Sequence, residues 1–254
     1  MIDLHCHILE NVDDGPATVT ESIEMAKAAL NDGIKTIVAT PHHMNSRYEN
    51  PRADVLTAVE QLNQRLQDES LPLTILPGQE IRLYGEILED YAKGNLLTLN
   101  NSDYMFIEFP SNHVPRYAEK LLYDIQLQGL IPIIVHPERN KEVQEQPDIL
   151  YQLIKRGALS QVTAASVAGD FGKKVKQFSL QLIEANLTHF VASDAHNTYN
   201  RTFRMTAAFK TIEEQFGVDY TYLFTENSNL LIDHQHIYKE PPERIKKKKF
   251  LGLF

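Results

Sequence analysis

The sequence predicts a single-domain α/β fold in which parallel strands are joined by crossover helices. Three observations predict it. Apolar, β-branched runs alternate with stretches of helical periodicity. A length of 254 residues suits an α/β barrel folded as one unit. No Pro-, Gly- or Ser-rich linker and no internal repeat divides the pattern before residue 240.

Seven strands are expected, near residues 2–6, 36–40, 73–77, 104–109, 132–135, 158–164 and 189–193, each a short run rich in Ile, Val, Leu or Phe. Between them helices are expected at 20–31, where Ile23, Ala26 and Leu30 share a face, and at 52–67, where Val55, Val59, Leu62 and Leu66 do. Further helices are expected at 115–128, 148–156, 174–186 and 202–215, with Gly33, Gly129 and Gly157 as stops. Residues 241–254 read as a separate tail: Pro241-Pro242 breaks regular structure, and four lysines precede Phe250-Leu251-Gly252-Leu253-Phe254. That tail suits weak peripheral contact with an acidic membrane surface or a partner, or else a solvated end.

A net charge of −9 argues against a nucleic-acid binder working through a broad basic surface. The single cysteine excludes an intrachain disulfide and a multi-thiolate zinc site, and it suits a reducing cytoplasm. No apolar run reaches transmembrane length, so a cytoplasmic protein is expected.

The chemistry lies at the strand ends. Strand alternation turns Asp3, His5 and His7 one way and Cys6 the other, so two imidazoles can grip one ion. The second strand runs into His42-His43, the third into Glu80, the fourth into Glu108, the fifth into His136-Pro137-Glu138-Arg139, and the seventh into Asp194-Ala195-His196. Taken singly, each has an ordinary structural explanation as a loop carboxylate, a helix cap or a core histidine. Together they are explained by a metal site, because a barrel active site is assembled from successive strand ends.

Asp3-Leu4-His5-Cys6-His7, Asp13-Asp14-Gly15, Thr40-Pro41-His42-His43, Gly78-Gln79-Glu80, His136-Pro137-Glu138-Arg139 and Ser193-Asp194-Ala195-His196, in this order, resemble the polymerase-and-histidinol-phosphatase (PHP) superfamily over residues 1 to about 205. Within it, His-Cys-His-Ile-Leu followed by Asp-Asp-Gly-Pro is similar to the bacterial tyrosine phosphatases encoded with capsular and exopolysaccharide genes. The resemblance implies a distorted seven-stranded, TIM-like (β/α)7 barrel with three divalent cations, usually manganese. Zn²⁺, Fe²⁺, Co²⁺ and Mg²⁺ are alternatives, since imidazole and carboxylate donors accept several metals and availability decides occupancy. Carried over by motif, His5, His7, Glu80 and Asp194 hold one ion; Glu80 bridges to a second held also by Glu108 and His136; Asp14, His42 and His196 hold the third. Asp13 adjoins Asp14 and leaves that choice open from the residues alone, with Asp14 expected. Arg139 and Arg201 are expected to grip phosphate.

The implied activity is protein-tyrosine phosphatase, with a tyrosine-phosphorylated protein as substrate, a bacterial tyrosine kinase as partner, and inorganic phosphate as product, in control of extracellular polysaccharide synthesis. The expected mechanism is direct attack by a metal-bridging hydroxide, with His42 or a metal-bound water as proton donor. A thiolate route is not expected, because no arginine follows Cys6 in its own loop. The competing readings are a histidinol phosphatase, a polymerase-associated nuclease, and a silent metal-binding scaffold.

Overall fold

A computed structural model describes residues 1–245. The lysine and phenylalanine run expected to form most of the tail, residues 246–254, lies outside the described residues. The chain runs β1 (Ile2–Cys6), α1 (Val19–Asn31), β2 (Thr36–Ala39), β3 (His42–His43), α2 (Arg52–Asp68), β4 (Thr74–Pro77), β5 (Glu80–Arg82), α3 (Ile87–Ala92) and β6 (Tyr104–Glu108). It continues through α4 (Ala118–Leu127), β7 (Ile131–Val135), α5 (Lys141–Glu145), α6 (Asp148–Lys155), β8 (Leu159–Thr163), α7 (Ala164–Ala168), α8 (Lys173–Glu184), β9 (Phe190–Ala192), α9 (Met205–Phe216) and α10 (Val218–Ile232). Local chemistry sets the boundaries. Glu21 N donates to Thr18 Oγ1 and Ala17 N to Glu21 Oε2, which caps the start of α1.

All strand pairs are parallel, as the alternating pattern requires, in two sheets ordered β1-β2-β4 and β3-β5-β6-β7-β8-β9. The expectation of seven strands is corrected here: β2 and β4 form close to the expected bounds, but each is followed after a short gap by a further short strand, β3 or β5, making nine among the described residues. Pro41 has no N–H with which to continue a ladder, and the chain restarts as β3, which pairs with β5. Gly78 divides β4 from β5 at a close approach, where a Cβ would lie 2.8 Å from Val38 Cγ1. At the other junction, Cys6 and Ala195 form an isolated bridge, and Asp194 N donates to His5 O at 2.8 Å. Among the described residues the ladders therefore make two open sheets rather than one continuous closed one.

The apolar side chains divide by face. Leu4, Tyr104, Phe106, Ile133, Val135, Leu159 and Phe190 pack with one another in an inner cluster. Met105, Ile107, Ile134, Val162 and Val191 meet the helices in a larger outer one. Strict alternation fails in β1. Its register with β2 shifts between Asp3 and Cys6, Leu4 packs inward and Cys6 outward, and Asp3 accepts from Ser193 Oγ at 2.5 Å instead of joining His5 and His7. The unexpected α10 brings Leu231 into the inner cluster, and Tyr104 Oη donates to Gln235 O at 2.9 Å, so α10 covers the N-terminal ends of the strands. The ordered body also passes residue 240, the expected boundary: Arg244 pairs with Asp148 and lies 4.7 Å above the Tyr151 ring, while Ile245 packs on the outer core. Among the described residues no helix is long and apolar enough to cross a membrane.

Candidate metal centre

The C-terminal ends of the strands bring the expected side chains to one place in three overlapping groups. His5, His7, Glu80 and Asp194 form the first, His42, Glu80 and Glu108 the second, and His7, Asp14, His42 and His196 the third, each with donor atoms within 4.8 Å of one another. In the first, His5 Nε2 is 3.4 Å from both Glu80 Oε2 and Asp194 Oδ1, and His7 Nε2 is 3.2 Å from Glu80 Oε2. In the second, His42 Nδ1 is 2.8 Å from Glu80 Oε2 and 3.7 Å from Glu108 Oε2. His136 stands beside this group rather than within it, with Nε2 2.6 Å from Glu80 Oε1. In the third, Asp14 Oδ1 is 3.4 Å from His42 Nε2 and 3.3 Å from His196 Nε2. His7, expected in the first group alone, also faces the third, its ring stacked 3.7 Å from that of His196.

Backbone and neighbours aim these donors. His136 and Asp194 follow strands in left-handed conformations, φ 36° and 53°, which turn their side chains away from the ladder. The Nδ1 atom of each of three histidines meets an acceptor: Gln161 Oε1 at 2.9 Å from His5, Asp13 Oδ2 at 2.6 Å from His7, and Asp194 O at 2.9 Å from His196. An Nδ1 proton held in this way leaves each Nε2 lone pair facing the cluster, the arrangement found around metal-bound imidazoles. Burial, aided by Arg139, lowers the His136 pKa to about 4; burial, aided by His7, lowers that of His196 to about 4. Both are thus neutral donors at pH 7. Burial alone would raise the Glu80 carboxyl, but His42 and His5 hold it well below the usual range. Burial and the Glu80 charge push Glu108 up to about 7.

The donor set fits divalent cations by a second test. His42 Nδ1, Glu80 Oε2, Glu108 Oε2, Asp194 Oδ1 and His196 Nε2 are buried atoms that make no hydrogen bond of good geometry, and their near neighbours are other ligand atoms of the same cluster. An unsatisfied buried polar group costs about 1–3 kcal/mol, so five around one cluster make a costly arrangement unless a cation is their common partner.

Arg139 and Arg201 converge on the other oxygen of Asp194. Arg139 Nη2 donates to Oδ2, and Arg201 Nη2 lies 3.0 Å from it. They line a cavity of about 320 Å³ together with His42, Glu108, His136 and Asn140. A roomier cleft of about 900 Å³ between α1 and α2 holds none of these donors, so the chemistry belongs to the smaller cavity. His42, considered above as a proton donor, turns both ring nitrogens toward carboxylates and leaves neither for a leaving group. Cys6 is fully buried with Sγ donating to Ala195 O, and burial with the charges of Asp3 and Asp194 raises its thiol pKa well above the ordinary value.

Sequence reading did not single out Gln161, which orients His5, or Arg82, whose Nη2 lies 3.0 Å from Glu108 Oε1. Gln161 had one available signal: a fully buried strand, Leu159–Thr163, carries a polar amide on the same face as Leu159.

A family model described as "Capsular polysaccharide synthesis, CpsB/CapC" matches residues 1–233. Tyrosine-protein phosphatase YwqE of Bacillus subtilis is 55% identical over 254 residues, all of both chains. Tyrosine-protein phosphatase CpsB of Streptococcus pneumoniae is 31% identical over 243 residues, 93% of this chain and 100% of the relative. A crystal structure from work on YwqE and CpsB, described as metal-dependent tyrosine phosphatases, matches with TM-score 0.95 at 55% identity, over 97% of this chain and 100% of that one. A probable 2-pyrone-4,6-dicarboxylic acid hydrolase from Acinetobacter baumannii matches in fold alone, with TM-score 0.51 at 14% identity, over 91% of this chain and 98% of that one.

Proposed function

The chain belongs to the CpsB/CapC family of capsular polysaccharide synthesis, and from that premise and the geometry of the site we propose that it is a metal-dependent protein-tyrosine phosphatase. The carrying observation is the set of five buried atoms without a well-formed hydrogen bond, three of which belong to His42, Glu108 and Asp194, residues that line one cavity with Arg139 and Arg201. The fold reading that goes with it is a distorted (β/α)7 barrel whose second and third strands are each followed by a further short strand, opening the ladder into two sheets.

In this reading three cations, with manganese as the first choice, occupy the three groups. His5, His7, Glu80 and Asp194 hold one. Glu80, Glu108 and His42 hold the second, with His136 adjacent. Asp14, His42 and His196, with His7, hold the third. Bound divalent ions would neutralise phosphoryl charge and lower the pKa of water from 15.7 toward about 7. The chain's own groups do the rest. Arg139 and Arg201 present permanently charged, planar donors to phosphoryl oxygens, and Asp194 Oδ2 keeps both guanidiniums at the mouth of the cavity. Gln161 and Asp13 hold the Nδ1 protons of His5 and His7. His42 serves as a ligand rather than as the acid. Protonation matters less here than for a serine ester, since a tyrosyl leaving group has a pKa of about 10. Cys6, buried and protonated, packs as a small apolar residue.

The substrate proposed is a phosphotyrosine-bearing protein, a bacterial tyrosine kinase in particular, in the control of capsular or exopolysaccharide synthesis; the lone reduced thiol supports a cytoplasmic setting. Protein stripped by chelator and reloaded with Mn²⁺ should regain turnover of a phosphotyrosyl peptide in proportion to metal content by elemental analysis. Preference for histidinol phosphate would replace this reading with a small-molecule phosphatase. Full metal content without hydrolysis of either substrate would replace it with a scaffold.

A further inference from the structure

Asp14 differs from the other carboxylates of the centre. Glu80 and Glu108 lie within strands, and Asp194 is tied to β1 through Asp194 N and His5 O at 2.8 Å. Asp14 instead sits in the irregular segment 7–18, with its side chain 45% exposed, and it must still meet His42 and His196. Asp13 Oδ2 accepts from His42 N at 3.1 Å and ties that loop to the strand carrying His42 at one point, and a second tie is needed to fix the backbone before Asp14.

Asn50 is placed to do so. It is 8% exposed, and its Nδ2 donates both to Val12 O at 3.0 Å and to His42 O at 2.7 Å. One amide group thus joins the Asp14 loop, two residues before Asp14, to the residue whose ring faces Asp14. Asn50 is itself fixed from two sides: its N–H donates to His43 Nδ1 at 3.1 Å, and Gln79 Nε2 donates to its carbonyl at 2.6 Å. Gln79 precedes Glu80, and its Oε1 accepts from Leu97 N at 2.5 Å. The chain from Val12 through Asn50 to Gln79 therefore links the segments that carry Asp14, His42 and Glu80.

We propose that Asn50 is a positioning residue that sets affinity for the cation held by Asp14, His42 and His196. The proposal rests on the reading that these residues hold one. Both side-chain donors are used on carbonyl oxygens, so Asn50→Asp, nearly the same shape, removes both bonds and puts an acceptor against two acceptors. Asn50→Ala removes them without adding charge.

The test is a Mn²⁺ titration of chelator-stripped full-length protein, with free Mn²⁺ read by its electron paramagnetic resonance signal, and with melting curves recorded in chelator. The expected result is that both variants melt within the fold's ordinary range in chelator while the class of Mn²⁺ sites that Asp14→Asn also weakens loses affinity by about 10–100-fold, the usual effect of removing a group that orients ligands. The class held by His5, His7, Glu80 and Asp194, which lacks His42, should change least. Unchanged affinity in every class overturns the proposal. So does an equal loss across all classes, or failure of both variants to fold, since either assigns Asn50 to the fold at large. If the unsubstituted protein binds no Mn²⁺, the metal reading fails first and this inference with it.

Discussion

Removing divalent cations should destabilise the protein by an amount that the three groups allow one to bound. A ligand that binds only the folded state contributes about 2.7 kcal/mol when free at 100 times its dissociation constant. For a chain of this size each kcal/mol moves the melting temperature by about 2 °C, so one occupied site is worth about 5 °C and three independent sites about 16 °C. The sites are not independent, because Glu80, His7 and His42 each belong to two groups. Cations sharing ligands also repel one another, so the full shift should fall between those limits. Thermal melting in excess chelator and again in saturating Mn²⁺ measures it. Glu80→Gln supplies the control, because it removes a charge from two groups at once and should abolish most of the shift. A change under about 2 °C with Mn²⁺, Co²⁺ and Zn²⁺ alike, equivalent to about 1 kcal/mol, would refute the reasoning from orphaned donors. An undiminished shift in Glu80→Gln would place the bound ions elsewhere.

Arg139→Lys and Arg201→Lys should each lower kcat/KM for a phosphotyrosyl peptide by about 10–100-fold, from about 1.5–3 kcal/mol per charge-assisted hydrogen bond; steady-state kinetics with unchanged values would remove either residue from phosphate binding. Cys6→Ser should keep most of its turnover, and an enzyme inactive with metals and fold intact would restore the thiol as nucleophile. His189 gives a pH prediction away from the metals. Burial, with Lys239 nearby, lowers its pKa from 6.5 to about 3, so the folded chain keeps it neutral where the unfolded chain protonates it. Its stabilising contribution is complete above pH 6.5 and is lost as pH falls toward 3, at about 1.4 kcal/mol per pH unit. Urea unfolding in chelator between pH 6.5 and 5 should show a shallower pH dependence in His189→Asn by about 2 kcal/mol over that interval; parallel curves would contradict it.

The strand ends were legible because ligand chemistry uses few residue types, and a barrel-like α/β fold repeats them at one end. His5, Glu80, Glu108 and Asp194 could be marked without knowing any contact. What could not be read is whatever depends on a partner distant in sequence. Gln161 gains its meaning only from His5, 156 residues away, and Asn50 only from Val12 and His42. The breaks after β2 and β4 had a visible proline and glycine, but period-2 patterning does not say that a strand will change neighbours there. Helix α10 was missed for a related reason: its buried face includes Asn227 and Ser228, which read as solvent-facing until Asn227 Nδ2 is seen donating to His189 O at 3.1 Å. Asp13 and Asp14 show the limit most narrowly. Adjacent and identical in type, they separate only in space, where Asp13 accepts from His42 N at 3.1 Å and meets His7 Nδ1 while Asp14 faces His42 and His196.

Asp194 draws the two halves of the site together. Its Oδ1 faces His5 and His7 at 3.4 and 3.5 Å, while its Oδ2 takes both arginines. One carboxylate thus stands between the place where cations would sit and the groups that would hold phosphate. Burial alone would raise its pKa, yet Arg139 and His5 keep it well below the ordinary range, so it remains charged for both tasks. In the proposed reading, a guanidinium held at Asp194 Oδ2, with Arg139 Nε also 4.0 Å from Glu138 Oε1, would set the distance between the cation and phosphate sites. A change at Asp194 therefore ought to disturb cation affinity and phosphate affinity together, and a change at Arg201, which also lies 3.6 Å from Asp14 Oδ2, ought to weaken phosphate binding most while shifting cation affinity as well.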